Sequence, residues 1–372
     1  MTSRNSTRRG VLATLPGLAL AACRVDDSAV PGTGGPAAGP RFAALPEAEI
    51  VARLRRPSAP LAAFLRRAGA DVGRAPDPVA TIHVEGTLPG QGIYDRSIEA
   101  TRDFPRILDF AVAWRATGEP RLLELADRFL RAWTDVYRVS LNPIDEERFD
   151  VLLLAADLVR GHVDPATDAG VDRLSRRFAE GYCAHLLAGG RRGSDVNNWS
   201  SHRAKLAALS AFALGDPALL ARAREGFVAH LDRTIVGADG EVVDFGERDA
   251  IHYVVYSILP LLIACHAARA HGEDWLARRN RLGASVATAI DWLAPYAERR
   301  KTHQEFVHSR VGFDAVRARA GLANFAGPWD PARAINLFAL AAALDPRWRG
   351  IADRLVAESG RPPSDWIRLL LA

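Results

Sequence analysis

From about residue 46 to the end of the chain, apolar residues recur at three- and four-residue spacing, with charged or small residues between them. Leu122, Leu125, Ala126, Phe129, Leu130 and Trp133 make one such stripe. That period marks helices that bury one face. Alternating patterns are sparse: Ile82-His83-Val84 and Glu241-Val242-Val243 are the short extended candidates. Several helix starts share one device. Gly118-Glu119-Pro120 and Gly215-Asp216-Pro217 set an acidic residue and a proline just after a glycine, and Asp164-Pro165, Asp330-Pro331 and Asp345-Pro346 repeat the second half. An acidic cap followed by proline at the first helical position pre-sets φ and loses no hydrogen bond. Each start follows the end of an earlier helix, so the pattern predicts helix pairs stacked in an array. Such pairs either stay open as a solenoid or close; the expected fold is all-α, an (α/α) toroid or incomplete barrel of helix pairs around a central cleft.

The first residues break this pattern. Ser6-Thr7-Arg8-Arg9-Gly10-Val11-Leu12 puts paired arginines before a short apolar run, as in a twin-arginine export signal, and Leu20-Ala21-Ala22-Cys23 resembles a bacterial lipobox. Residues 1–22 are therefore expected to be removed, leaving Cys23 as a lipidated N-terminus. Residues 23–45, rich in Gly, Pro, Ala and Ser, read as a flexible tether. Residues 46–372 read as a single helical domain. The expected location is the periplasm, with the membrane reached only through the lipid anchor. The apolar run near residue 16 is interrupted by Pro16 and Gly17 and is too short to span a bilayer.

Composition adds limits. A chain of 372 residues, 48% hydrophobic and 25% charged, can bury a large core. Its formal charge is +4, but Arg4, Arg8 and Arg9 lie in the leader; without them 45 basic residues face 44 acidic ones. Global charge gives no reason to expect a nucleic-acid partner. Beyond Cys23, Cys183 and Cys265 sit in apolar helical surroundings and read as buried thiols. The histidines are scattered, and no zinc-type spacing or phosphate loop is present. We expect no metal and no cofactor.

Polar chemistry concentrates in two stretches about fifty residues apart. One runs Asp195-Val196-Asn197-Asn198-Trp199-Ser200-Ser201-His202-Arg203. The other runs Asp244-Phe245-Gly246-Glu247-Arg248-Asp249-Ala250-Ile251-His252-Tyr253 and on to Tyr256. Read as one helix, the second puts Asp249, Tyr253 and Tyr256 on a common stripe, with Arg248 a turn before His252. A third stretch, His83 to Arg96, places Gly86, Gly90 and Gly92 around Pro89 beside Tyr94. Hinge-like residues in a long polar loop suit a lid over a cleft.

These stretches resemble the alginate lyases of the all-helical toroid type. Asn197-Asn198-Trp199-Ser200 is similar to that family's Asn-Asn-His-Ser segment, with Trp199 where the family has histidine and His202 three residues on. Asp249-Ala250-Ile251-His252-Tyr253 is similar to its Arg-Ala-Leu-His-Tyr segment, with Arg248 adjacent to the position of the family arginine. The His83–Ile93, Asn142–Asp145 and His303–Ser309 segments extend the resemblance over roughly residues 80–325.

The resemblance implies a lyase that cleaves alginate or a related uronate polymer by β-elimination, with an anionic polysaccharide or oligosaccharide as partner. Such a reaction removes the C5 proton beside the C6 carboxylate and expels the C4 oxygen, so the site must stabilise the developing enolate with fixed donors. Asn198 and Arg248 are the candidates for that, Tyr253 for the acid and, in syn elimination, the base, and His202 or His252 for a base on the opposite face. Asn197, Trp199, His83, Tyr94, Arg96 and Tyr256 are candidates for binding sugar. Two other readings stay open. Asp244, Glu247 and Asp249 could serve a glycoside hydrolase, and a cleft without its histidine could belong to a glycan-binding lipoprotein that does no chemistry.

Overall fold

The computed structural model describes residues 41–372; the expected leader, Cys23 and most of the tether lie outside them. Among the described residues the regular structure is helical: α1 (Glu47–Leu54), α2 (Ala59–Asp71), α3 (Tyr94–Ala100), α4 (Asp103–Thr117), α5 (Pro120–Val136), α6 (Phe149–Val159), α7 (Pro165–Ala188), α8 (Asn198–Leu214), α9 (Pro217–Thr234), α10 (Val243–Arg248), α11 (Ile251–Ala270), α12 (Val286–Ala297), α13 (Gly312–Arg319), α14 (Ile335–Leu344) and α15 (Arg349–Ser359). The extended candidates form no sheet. Val242 makes a single bridge to Ile235.

The proline device works as expected. Gly118 and Gly215 end α4 and α8 in the left-handed region, at φ 73° and 62°, and Pro120 and Pro217 open α5 and α9. Asp164 and Asp216 accept hydrogen bonds from the first free N–H groups of α7 and α9. Asp330 and Asp345 cap short 3₁₀ turns that run directly into α14 and α15.

Burial sorts the helices into two layers. In α8 every residue except Trp199 is buried, and α6, α11 and α14 are buried nearly all round. A helix apolar on all faces belongs inside a ring of others. By contrast, α5 buries only the stripe from Leu122 to Trp133. The inner row runs α4–α6–α8–α11–α14, and α5, α7, α9, α12 and α15 pack outside it. The helical turn Ile367–Leu371 closes the row: it packs on α14 at one end and on α1 and α2 at the other, and α2 packs on α4. The fold is the all-helical toroid.

One boundary moves. Residues 41–45, expected in the tether, are part of the domain. The buried Asp157 carboxylate accepts the backbone N–H groups of Ala43, Ala44 and Leu45 at 2.6, 2.8 and 3.0 Å. Phe42 stacks on one face of His271 and Phe212 on the other. Cys183 and Cys265 are buried, unbridged thiols.

Candidate active site

Asparagine at position 197 starts α8: its side chain caps the N–H of Trp199, and its amide donates to Glu247 at 3.3 Å. The next residue, Asn198, is buried and donates from Nδ2 to Asp244 at 2.6 Å. Ser257 donates to the other oxygen of Asp244. Burial pushes the Asp244 carboxyl up to about 6, against these two donors. An amide nitrogen carries two hydrogens, so Asn198 keeps one for the cleft it lines.

The second polar stretch is two helices, not one. Asp249 sits at φ 50° and separates α10 from α11. Its conformation is held from outside. His308 donates from its backbone N–H to the Asp249 carboxylate at 2.8 Å, and the Phe306 N–H donates to the Asp249 carbonyl at 2.8 Å. His308 and His303 also hold Asp249 through their rings, at the carboxylate and the carbonyl respectively. Glu305, between them in sequence, accepts the N–H groups of Ile251 and His252 and so caps α11. The expected common stripe for Asp249, Tyr253 and Tyr256 is therefore wrong. Tyr253 and Tyr256 face the cleft, while Asp249 is turned into the 303–308 segment.

That break lets Arg248 lie over the Tyr253 ring, its guanidinium carbon 3.8 Å from the centroid. Arg248 is ion-paired with the fully buried Asp314, which also accepts from Ser309 and lies 3.7 Å from Arg317. Arg317 donates to the Tyr253 hydroxyl at 2.9 Å. Two guanidinium groups against one carboxylate leave this cluster with one positive charge in excess. Burial raises the Tyr253 phenol, with Arg248 and Arg317 pulling the other way. The phenol therefore stays protonated at neutral pH.

The cleft has a volume of about 570 Å³. Asn198, Trp199, Arg248, His252, Tyr253 and Tyr256 line it from α8, α10 and α11, and Tyr94 from the start of α3, where the glycine-containing loop ends. Gly86, Gly90 and Gly92 of that loop all have positive φ, which explains the glycines. The facing wall carries Phe313, Arg317, Leu322 and Phe325. A larger cavity, about 770 Å³ beside Trp275 and Asp345, contains none of the expected residues.

Four expected site residues stand apart. Asn197 is used up in the cap and the bond to Glu247. His83 leans on Asp145 at 3.3 Å, and that carboxylate also takes the N–H groups of Val84 and Glu85. Arg96 turns outward to a paired contact with Asp77 at 2.6 and 2.7 Å. His202 is buried behind Tyr256, ring centroids 4.7 Å apart, with neither ring nitrogen hydrogen-bonded. Burial depresses it well below the ordinary histidine range, so it is neutral. His252 does reach the cleft. Burial, with Arg333, Arg248 and Arg317 around it, lowers it to about 4.

The sequence reading missed Glu147, Asp314 and Arg317. Glu147 lies two residues past the Asn142–Asp145 segment and could have been read with it; the other two sit in an unremarked charged helix.

No curated protein matches the chain by sequence. Among solved structures it is similar to an alginate lyase from Bacteroides ovatus, with TM-score 0.62 and 14% identity over 87% of this chain and 96% of that one. It is also similar to alginate lyase A1-III from Sphingomonas species A1, with TM-score 0.53 and 19% identity over 71% of this chain and 80% of that one. A histidine-to-alanine variant of A1-III complexed with tetrasaccharide is similar too, with TM-score 0.53 and 19% identity over 74% and 87%. At these identities the likeness is one of fold. Residues 52–303 match the family model described as alginate lyase, which is more than half of the chain, and the protein belongs to the alginate lyase family.

Proposed function

We propose that this family member cleaves alginate or a related uronate polymer by β-elimination, with Tyr253 as the general acid. The observation that carries the reading is the Tyr253 hydroxyl, bonded to Arg317 at 2.9 Å, in a cleft that also presents Asn198 and Arg248. A uronate carboxylate beside Tyr253 would meet an excess positive charge and the free amide hydrogen of Asn198. Those donors are fixed before the reaction by Asp314 and Asp244, which is what enolate stabilisation requires. The protonated phenol then supplies the proton that the departing C4 oxygen needs.

The hydrolase reading needs two carboxyl groups flanking a bond. Asp244 is bonded to Asn198 and Ser257, Glu247 to Asn197, and Asp249 to the 303–308 segment, so that trio offers no such pair. The deciding experiment incubates the purified protein with polymannuronate, polyguluronate and glucuronan. Only elimination creates a conjugated double bond, seen by ultraviolet absorbance. Reducing ends without that absorbance would mean hydrolysis; binding without either would mean a glycan-binding protein. Export and lipid attachment through Cys23 belong to the same proposal, supported by the arginine pair and lipobox-like residues alone.

A further inference from the structure

The elimination needs a group to receive the C5 proton, and Tyr253 can serve as both base and acid only for a sugar whose C5 hydrogen lies on its own side, so a C5 hydrogen on the opposite face needs a second base. Trp199 has no basic atom. His202 does not reach the cleft, and three arginines oppose a charge on His252. Asp145 is already occupied by backbone N–H groups. Glu147 is different. Its side chain lines the cleft, 29% exposed, and accepts a single side-chain hydrogen bond, from the Tyr256 hydroxyl. Tyr256 lies between the two reacting groups, its ring edge-on to that of Tyr253 at 5.9 Å.

Building on the lyase reading, we propose that Glu147 is the base that removes the C5 proton from sugars whose C5 hydrogen faces away from Tyr253, with Tyr256 positioning its carboxylate. The C5–H bond breaks and its electron pair becomes the C4=C5 double bond. The proton goes to Glu147. The C4–O bond breaks, and the leaving oxygen takes the Tyr253 proton. The resulting phenolate faces Arg317 and Arg248. Proton exchange with water restores both groups, so the net change is one chain cut into two, one of them unsaturated.

The surroundings of Glu147 fit a base. Tyr256 faces it from α11. His202, 3.8 Å away and neutral, and Lys205 face it from α8, with Arg148 and Asp150 on its own segment. Lys205 is bound to the Glu147 carbonyl and to Asp150 rather than to the carboxylate. Burial raises the Glu147 carboxyl above the ordinary range, and the Tyr256 hydrogen bond opposes that rise. A carboxylate held this way is a stronger proton acceptor than one in water.

Mannuronate and guluronate are C5 epimers and present that hydrogen on opposite faces, so the test is selective. Glu147→Gln should lower kcat at least about a hundredfold on one of the two polymers, with KM within about threefold, and spare the other. If wild type cleaves only one, unchanged kcat on that one overturns the proposal. Equal loss on both overturns it as well, since a packing defect makes no distinction between epimers. So does loss on Glu85→Gln, the other glutamate lining the cleft, with none on Glu147→Gln. Should Glu147→Gln fail to fold, Tyr256→Phe decides. Removing that donor raises the carboxyl further, so the acid limb of kcat/KM must move to higher pH. Asp244 is bonded to Asn198 and Ser257 and keeps its own ionisation in this variant. An unmoved limb refutes the role. If wild type yields no unsaturated product from any uronate, it is the lyase reading that fails.

Discussion

Tyr253 combines two requirements that pull against each other. Burial holds the proton on the phenol, and in the proposed elimination Arg248 and Arg317 would make losing it tolerable. Tyr253→Phe keeps the ring beneath Arg248 and deletes the hydroxyl. Turnover should fall at least about a hundredfold with little change in melting temperature, and near-normal turnover would remove Tyr253 from the mechanism. Arg317→Met withdraws a donor and a positive charge that lower the phenol, so the Tyr253 ionisation must rise. Any alkaline limb of kcat that belongs to Tyr253 should shift upward, checked by a pH–rate profile of the variant. Tyr253 was legible in the sequence because a local pattern carries it. Arg317 was not, because its contact spans 64 residues and it sits in a short helix with no motif of its own. His202 was misplaced for a related reason. Position three after Trp199 puts it on a nearby helical face, but α8 is buried on nearly every face, so being on a helix beside the cleft does not mean reaching it.

At the scale of elements, helix starts were readable and the interruption at Asp249 was not. Pro120, Pro165 and Pro217 open helices through their own backbone preference, which needs no partner. Asp249 adopts φ 50° because the distant 303–308 segment bonds its carboxylate and its carbonyl, and no local pattern announces that. The same break aims Arg248 at Tyr253, so the hardest feature to foresee is one that builds the site. A second loop shows how tightly α10 is placed. Between α9 and α10 the chain turns at Gly240, φ 104°, and a Cβ there would lie 2.3 Å from the Thr288 carbonyl oxygen of α12. Backbone cannot yield as a side-chain tip can. Gly240→Ala should cost at least about 2 kcal/mol in urea unfolding. It should also weaken activity, because α10 carries Asp244 and Arg248; unchanged stability would mean that α12 moves aside freely.

Closure is a property of the whole ring, and the sequence pattern left it open because repeated helix pairs are equally consistent with a solenoid. What closes it is not a repeat. Ile367, Leu369, Leu370 and Leu371 are all buried where the C-terminal turn meets α1, α2 and α14. Arg53 of α1 donates to the Ala372 carbonyl at 2.9 Å, and Arg67 of α2 bridges Asp109 of α4 and Asp365 beside that turn. The cleft residues come instead from α8, α10, α11 and the loops facing them. Closure and chemistry should therefore separate. Leu370→Ala leaves a cavity at the seam and should cost about 2–5 kcal/mol, lowering the melting temperature while KM of the folded enzyme stays within about twofold. A matching truncation on the wet side, Arg368→Ala, should cost far less, since that side chain is partly exposed and pairs with Asp365 at 3.5 Å. If Leu370→Ala leaves stability untouched, the turn is an ornament on a ring closed by α1, α2 and α4 alone. If it abolishes substrate binding at temperatures where the protein is folded, the seam holds the cleft in shape, and the two ends of the chain act on the site across the ring.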